Sequence, residues 1–306
     1  MRKLPIIVVV GSAAASLVWA DSATINPDKD NTLIQTTTGS LSNALGDIFI
    51  GRTAQADASS RRRGVIHFNV AAAIPSGSTI TAVTLRLYLN MTGDNTVRSA
   101  SVYRSTASWG EGTSYVNGGV GSASTTNDAT WIHRFWNTSS WTTSGGDRAA
   151  TASASANTGS AGAVNQYYTW SSATLVSDVQ GWLDTPSSNL GWHIVGDEST
   201  ASTARRFTSR EATDDAGDHF PELVITYTPP GPRAPGAEPA AAPQSITTEV
   251  DGMRVLGERD LDGDGTPDLL LRDRNGALLG GHRTAKGLET WTLPLDHASD
   301  DPLAIP

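Results

Sequence analysis

An all-β sandwich is predicted by three observations on this 306-residue chain. Apolar and polar residues alternate in short runs, the period of two that a strand imposes. Serine, threonine, glycine and asparagine fill the intervals between those runs, as turns and loops of a sandwich require. Only one segment carries the three-and-four spacing of a helix.

The clearest alternation lies between Arg62 and Asn90. Ile66, Phe68 and Val70 fall on one face of a strand, and Val65, His67 and Asn69 on the other. Pro75, Ser76, Gly77 and Ser78 then break the pattern as turn formers. After the turn, Val83, Leu85, Leu87 and Leu89 form a second apolar face, leaving Thr84, Arg86, Tyr88 and Asn90 to solvent. The same reading places strands at 47–53, 64–70, 80–89, 101–105, 130–134, 167–171, 191–196 and 222–228. The helix is expected over 173–184, where Leu175, Val176, Val179, Trp182 and Leu183 recur on one face. Residues 114–152 read as a long loop with one or two irregular strands, a length that is uncommon unless functional. The proline- and alanine-rich run at 229–245 favours an extended, semi-rigid linker.

The N-terminus reads as a secretory signal over 1–20. Arg2 and Lys3 precede an apolar run, and Val18, Trp19 and Ala20 supply a cleavage site before Asp21. A secreted or cell-surface location follows, with the sandwich over 21–228, the linker over 229–246 and a C-terminal module over 247–306. No other segment is long and apolar enough to cross a bilayer. The chain has no cysteine, so stability without disulfides is expected. The net charge is −9, and residues 21–228 hold 13 Lys plus Arg against 18 Asp plus Glu. That balance argues against nucleic acid, which requires a basic patch.

Three groups in the sandwich are candidates for ligand binding. His67 and Asn69 share an outward face of one strand, Arg86 and Tyr88 that of the next, and the four would be neighbours if those strands pair or sit close. Arg61, Arg62 and Arg63 form a basic run just before the first of these strands, suited to a solvated loop or to an anionic ligand. Trp131, His133 and Arg134 lie in the long loop region with Trp109, Trp136 and Trp141, suited either to stacking on a ligand or to a satellite core. Catalytic signatures are missing: there is no cysteine nucleophile, no G-x-S-x-G elbow and no H-E-x-x-H. Tyr88 with His67 could serve as acid and base of a polysaccharide lyase, as could any Tyr and His on a sugar-binding face.

Beyond the linker, Asp260, Asp262, Asp264 and Asp268 stand at positions 1, 3, 5 and 9 of a loop, with Gly265 at position 6. This spacing wraps carboxylates around Ca²⁺, with the Thr266 carbonyl as a further ligand. An EF-hand needs Glu at position 12, which is Leu271, and Leu269 to Arg272 look like a strand. The loop therefore resembles that of FG-GAP or VCBS repeats, and only one such repeat is visible.

Landmarks in the first 228 residues resemble, in order, the DNRLRE domain family of secreted bacterial proteins. They are an Arg-Gly pair, an I-x-F strand, an IP-x-G-S turn, V-T-L-R-L-Y, WGEGTS from Trp109, TWIHRFW from Thr130, LVSDVQGWLD, NLGWHIVGDE, RRFTSRE and P-x-L-V-I-T-Y. The resemblance implies a jelly-roll-like antiparallel β-sandwich. Some relatives are carbohydrate-binding modules for acidic polysaccharides such as alginate, so a non-catalytic polysaccharide-binding protein is expected. A structural or adhesive surface module without sugar recognition fits the same residues.

Overall fold

In the computed structural model, residues 20–56, 59–159, 163–211 and 219–230 are described, together with strand segments at 249–250, 253–259, 268–272, 278–284 and 287–292. Residues 1–19, within the expected signal segment, and most of the expected linker lie outside them. The chain divides into two compact units, Met1–Pro243 and Gln244–Pro306. Among the described residues no helix is long and apolar enough to cross a membrane.

The first unit is an antiparallel, curled sandwich. Its elements are β1 (Asp21–Ile25), β2 (Lys29–Ile34), β3 (Leu41–Ser42), β4 (Ile48–Arg52), β5 (Arg61–His67), the single turn α1 (Val70–Ala73), β6 (Thr79–Thr92) and β7 (Arg98–Arg104). Then follow β8 (Ser122–Ala123), β9 (His133–Phe135), β10 (Ser139–Ser140), β11 (Ala154–Thr158), β12 (Gln166–Ser171), α2 (Ala173–Asp184), β13 (Trp192–Val195), β14 (Arg205–Phe207) and β15 (Glu222–Thr228). One layer is built on the long strand β6, which pairs with β12 on one edge and with β15 and β14 on the other. The other is built on β5, flanked by β2 on one edge and by β13 and β4 on the other, with β13 continuing to β7 and β11.

β4 belongs to both layers. Ile48 to Ile50 pair with β14, whereas Gly51 and Arg52 pair with β5. The change of layer occurs at Gly51, whose φ is 88° and where a Cβ would sit 3.0 Å from the Thr203 carbonyl. Glycine is the residue that reaches such a conformation without a steric penalty.

The main core lies between the layers. Val83, Leu85, Leu87 and Leu89 of β6 are buried there with Ile66, Trp170, Trp192 and Ile194. Each such side chain contributes about 1.5–3 kcal/mol. α2 occupies the predicted residues and turns Leu175, Val179, Trp182 and Leu183 into this core. Ser172 caps it, its Oγ accepting the Leu175 N–H at 3.0 Å. Pro186 directly after the helix prevents its continuation.

A second, smaller core corrects the expectation for β5. Val65, predicted to face solvent, is fully buried with Leu33, Trp109, Ala129, Trp131 and Trp141 beneath the long connection between β7 and β11. β5 is therefore buried on both faces, a condition in which alternation no longer distinguishes inside from outside.

The second unit contains a five-stranded antiparallel meander: β16 (Glu249–Val250), β17 (Met253–Arg259), β18 (Asp268–Arg272), β19 (Leu278–Thr284) and β20 (Gly287–Thr292). Leu269 and Leu271 of β18 are buried. Asp268 opens β18, so a strand does follow the acidic loop. Asp260, Asp262, Asp264 and Thr266 fall outside the described residues.

Candidate functional site

The outer face of the β5 layer carries the groups with the most chemistry, and its register shows how they line up. Asn31 lies opposite Val65, Val65 opposite His193, and His193 opposite Tyr103. The connection between β7 and β11 covers Val65 and His193 but stops short of Tyr103. At that margin an open groove of about 590 Å³ is lined by Tyr103, Thr106, Thr142, Thr143, Asp147 and Arg148. The Arg148 guanidinium lies 5.1 Å from the centroid of the Tyr103 ring. Among the described residues no carboxylate forms a salt bridge or hydrogen bond with it. Burial, and then the like charge of Arg63, pull its pKa below the ordinary guanidinium value, with Glu198 acting in the opposite sense. Such a group gains from an incoming anion.

The wall of the groove is shaped by Asp147, whose two oxygens accept the Thr142 and Thr143 N–H groups at 2.8 Å each. Gly145 and Gly146 precede it with φ of 86° and 100°. A Cβ on Gly145 would meet Arg63 Nη1 at 2.3 Å, and one on Gly146 would meet His193 Nε2 at 2.0 Å. The two glycines let the loop close down on the second core. His193 is fully buried there, its Nδ1 2.9 Å from Ser105 Oγ and its ring 5.5 Å from Trp141. Burial, followed by the charges of Arg148 and Arg63, lowers its pKa to about 3.

The residues nominated from the sequence fall into separate places. The expected convergence of His67, Asn69, Arg86 and Tyr88 does not occur, because β4 and β14 stand between β5 and β6 in the strand order. His67 pairs with Asp28 at 2.5 Å, and Asn69 caps α1 by accepting the Ala72 N–H at 3.3 Å. Arg86 pairs with Glu222 at 2.5 Å and lies 4.3 Å over the Tyr167 ring. Tyr88 is buried, stacked on His219 at 3.9 Å and edge-on to Tyr167 at 5.3 Å. His67 and Tyr88 are thus on different layers and form no acid–base pair.

The basic run lies within β5 rather than in a loop before it, and alternation splits it. Arg61 and Arg63 face outward toward Glu198, Arg63 with two bonds of 2.7 and 2.9 Å, while Arg62 turns inward and is fully buried. Arg63 also lies 4.7 Å over Trp131 and donates to the Gly145 carbonyl at 2.9 Å, so these two nominated residues support the groove from below. His133 packs edge-on to Trp136, and Arg134 donates to Ser108 Oγ at 2.8 Å. Tyr103 and Arg148 were not nominated. Tyr103 does sit on the outward parity of β7, but Arg148 follows a Gly-Gly-Asp turn with no periodicity to single it out.

No family model matches the chain, and no curated protein matches it.

Proposed function

We propose that this is a secreted, non-catalytic carbohydrate-binding protein that recognises an acidic polysaccharide, with polyuronates such as alginate as the ligand class. The observation that carries this reading is Arg148 over the Tyr103 ring in the groove, where no carboxylate among the described residues bonds to it directly. A guanidinium grips a uronate carboxylate through two parallel hydrogen bonds, and an aromatic face accepts the C–H surface of a sugar ring. Thr106, Thr142 and Thr143 supply hydroxyl groups along the same groove. The net charge of −9 opposes indiscriminate attraction of polyanions, so binding must depend on this local arrangement. The ordered landmarks similar to the DNRLRE family support the same reading. For the C-terminal unit, the aspartate spacing from Asp260 to Asp268 supports a Ca²⁺ site.

Affinity electrophoresis of the full chain against alginate, polygalacturonate, chitin and a neutral glucan tests the proposal. Retardation is expected with the two polyuronates only, weakening as salt rises. Arg148→Ala should lower affinity by about 10- to 100-fold, the worth of one charge-assisted contact, with the melting temperature little changed. Migration unaltered by any polymer would count against the reading and leave a surface module without sugar recognition, and equal retardation of wild type, Arg148→Ala and Tyr103→Ala would show that the groove is not the site.

A further inference from the structure

Asp30 on β2, Glu111 in the connection after β7 and Glu211 beyond β14 converge from three distant parts of the chain. One carboxylate oxygen from each lies within 4.8 Å of the other two. Asp30 is fully buried. Its Oδ2 accepts the Arg210 backbone N–H at 2.8 Å, but its Oδ1 has no hydrogen-bond partner. Glu111 is fixed in place: its Oε1 accepts the Asp30 N–H at 2.6 Å and Arg210 Nε at 3.1 Å. Arg210 also pairs with Glu211 at 2.6 Å. The Arg210 guanidinium thus serves both glutamates, while Asp30 is held by the Arg210 backbone N–H. The ammonium group of Lys29 acts on Glu111 through space, but its own hydrogen bond goes to the Trp109 carbonyl at 2.7 Å and it rests on the Trp109 ring.

Carboxylates crowded out of water raise one another's pKa until a proton or a cation relieves them. Burial, then Glu211 and Glu111, push Asp30 well above the ordinary carboxylate range, and burial raises Glu111. Three carboxylate oxygens no more than 4.8 Å apart can share one ion, and Ca²⁺ accepts an irregular set of oxygens whereas Mg²⁺ demands a near-ideal octahedron.

We propose that Asp30, Glu111 and Glu211 form a Ca²⁺ site within the sandwich, distinct from the acidic loop of the C-terminal unit and independent of the polysaccharide reading. The ion would tie β2, the Glu111 segment and the chain beyond β14 together, adding to the Asp30–Glu111 bond and the Arg210 contacts already there.

The full chain carrying Asp262→Asn and Asp264→Asn, which disables the C-terminal loop, isolates the site. After dialysis against CaCl₂, elemental analysis should find one Ca²⁺ per chain, and chelation should lower the melting temperature. Adding Glu211→Gln should weaken Ca²⁺ binding by at least about tenfold, the loss that even outer-shell changes produce, with an unchanged far-ultraviolet spectrum. Asp30→Asn should abolish binding if that chain folds. Absence of bound Ca²⁺ from the dialysed double variant would overturn the proposal. So would Ca²⁺ binding that Glu211→Gln leaves unaltered.

Discussion

Replacing Arg62 with methionine is expected to destabilise the sandwich by about 3–5 kcal/mol. The side chain is fully buried, and burial lowers its pKa only to about 10, so it remains charged at neutral pH. Its charge is solvated by the protein rather than by water. Nε donates to the Gly119 carbonyl at 2.6 Å, Nη1 to the carbonyls of Ser59 at 2.6 Å and Arg61 at 2.9 Å, and Nη2 to Gln55. Methionine fills most of the volume but leaves these acceptors without donors, at about 1–3 kcal/mol for each one that water cannot reach. Arg62→Lys keeps the charge and loses the planar fork, so an intermediate loss is expected. Urea titrations followed by tryptophan emission measure both. A midpoint for Arg62→Met within error of wild type would show that the buried guanidinium contributes nothing net.

Acid should weaken the fold through His193. Its pKa is about 3 in the folded protein against about 6.5 in the unfolded chain, so between those values only the unfolded state takes up the proton. The contribution is fully present above about pH 6.5 and is lost progressively as pH falls toward 3, reaching roughly 3–5 kcal/mol. Ser105, Trp141, Arg148 and Arg63 touch or act on the ring, and none of them is a counter-charge. Other groups titrate in the same window: Asp94, held at about 2 chiefly by Arg98, loses stability there, whereas Asp30 gains it on protonation. The diagnostic quantity is therefore the difference between wild type and His193→Gln. That difference in unfolding free energy should change by several kcal/mol between neutral pH and pH 4. A constant difference across the range would refute the assignment.

Periodicity located the elements whose two faces differ in polarity. β6, β15 and α2 each present one apolar and one polar face, and their positions are legible from spacing alone. β2 is not, because Asp30, Asn31 and Thr32 are all fully buried and read as loop. Part of that polarity is absorbed locally: Asn31 Oδ1 accepts Ser42 Oγ at 2.8 Å, and Thr32 Oγ1 accepts the Phe49 N–H at 3.0 Å. β14 is hidden for the same reason, with Arg205 buried and bonded to Asp94 at 2.8 Å. Alternation also says nothing about what covers an outward face, which is why Val65 and Trp131 belong to a second core and Arg62 to the interior. The groove depends on a loop brought beside a strand some forty residues away in sequence, and neither member carries a local signature.

The passage of β4 from one layer to the other bears on how the domain comes apart. A sandwich whose layers meet only through side chains can open by separating them, leaving each hydrogen-bonded ladder intact. Here residues 48–52 contribute to both ladders, so the layers cannot part without breaking main-chain hydrogen bonds on one side of Gly51. The two ladders are thereby joined through the main chain of a single strand, on either side of Gly51.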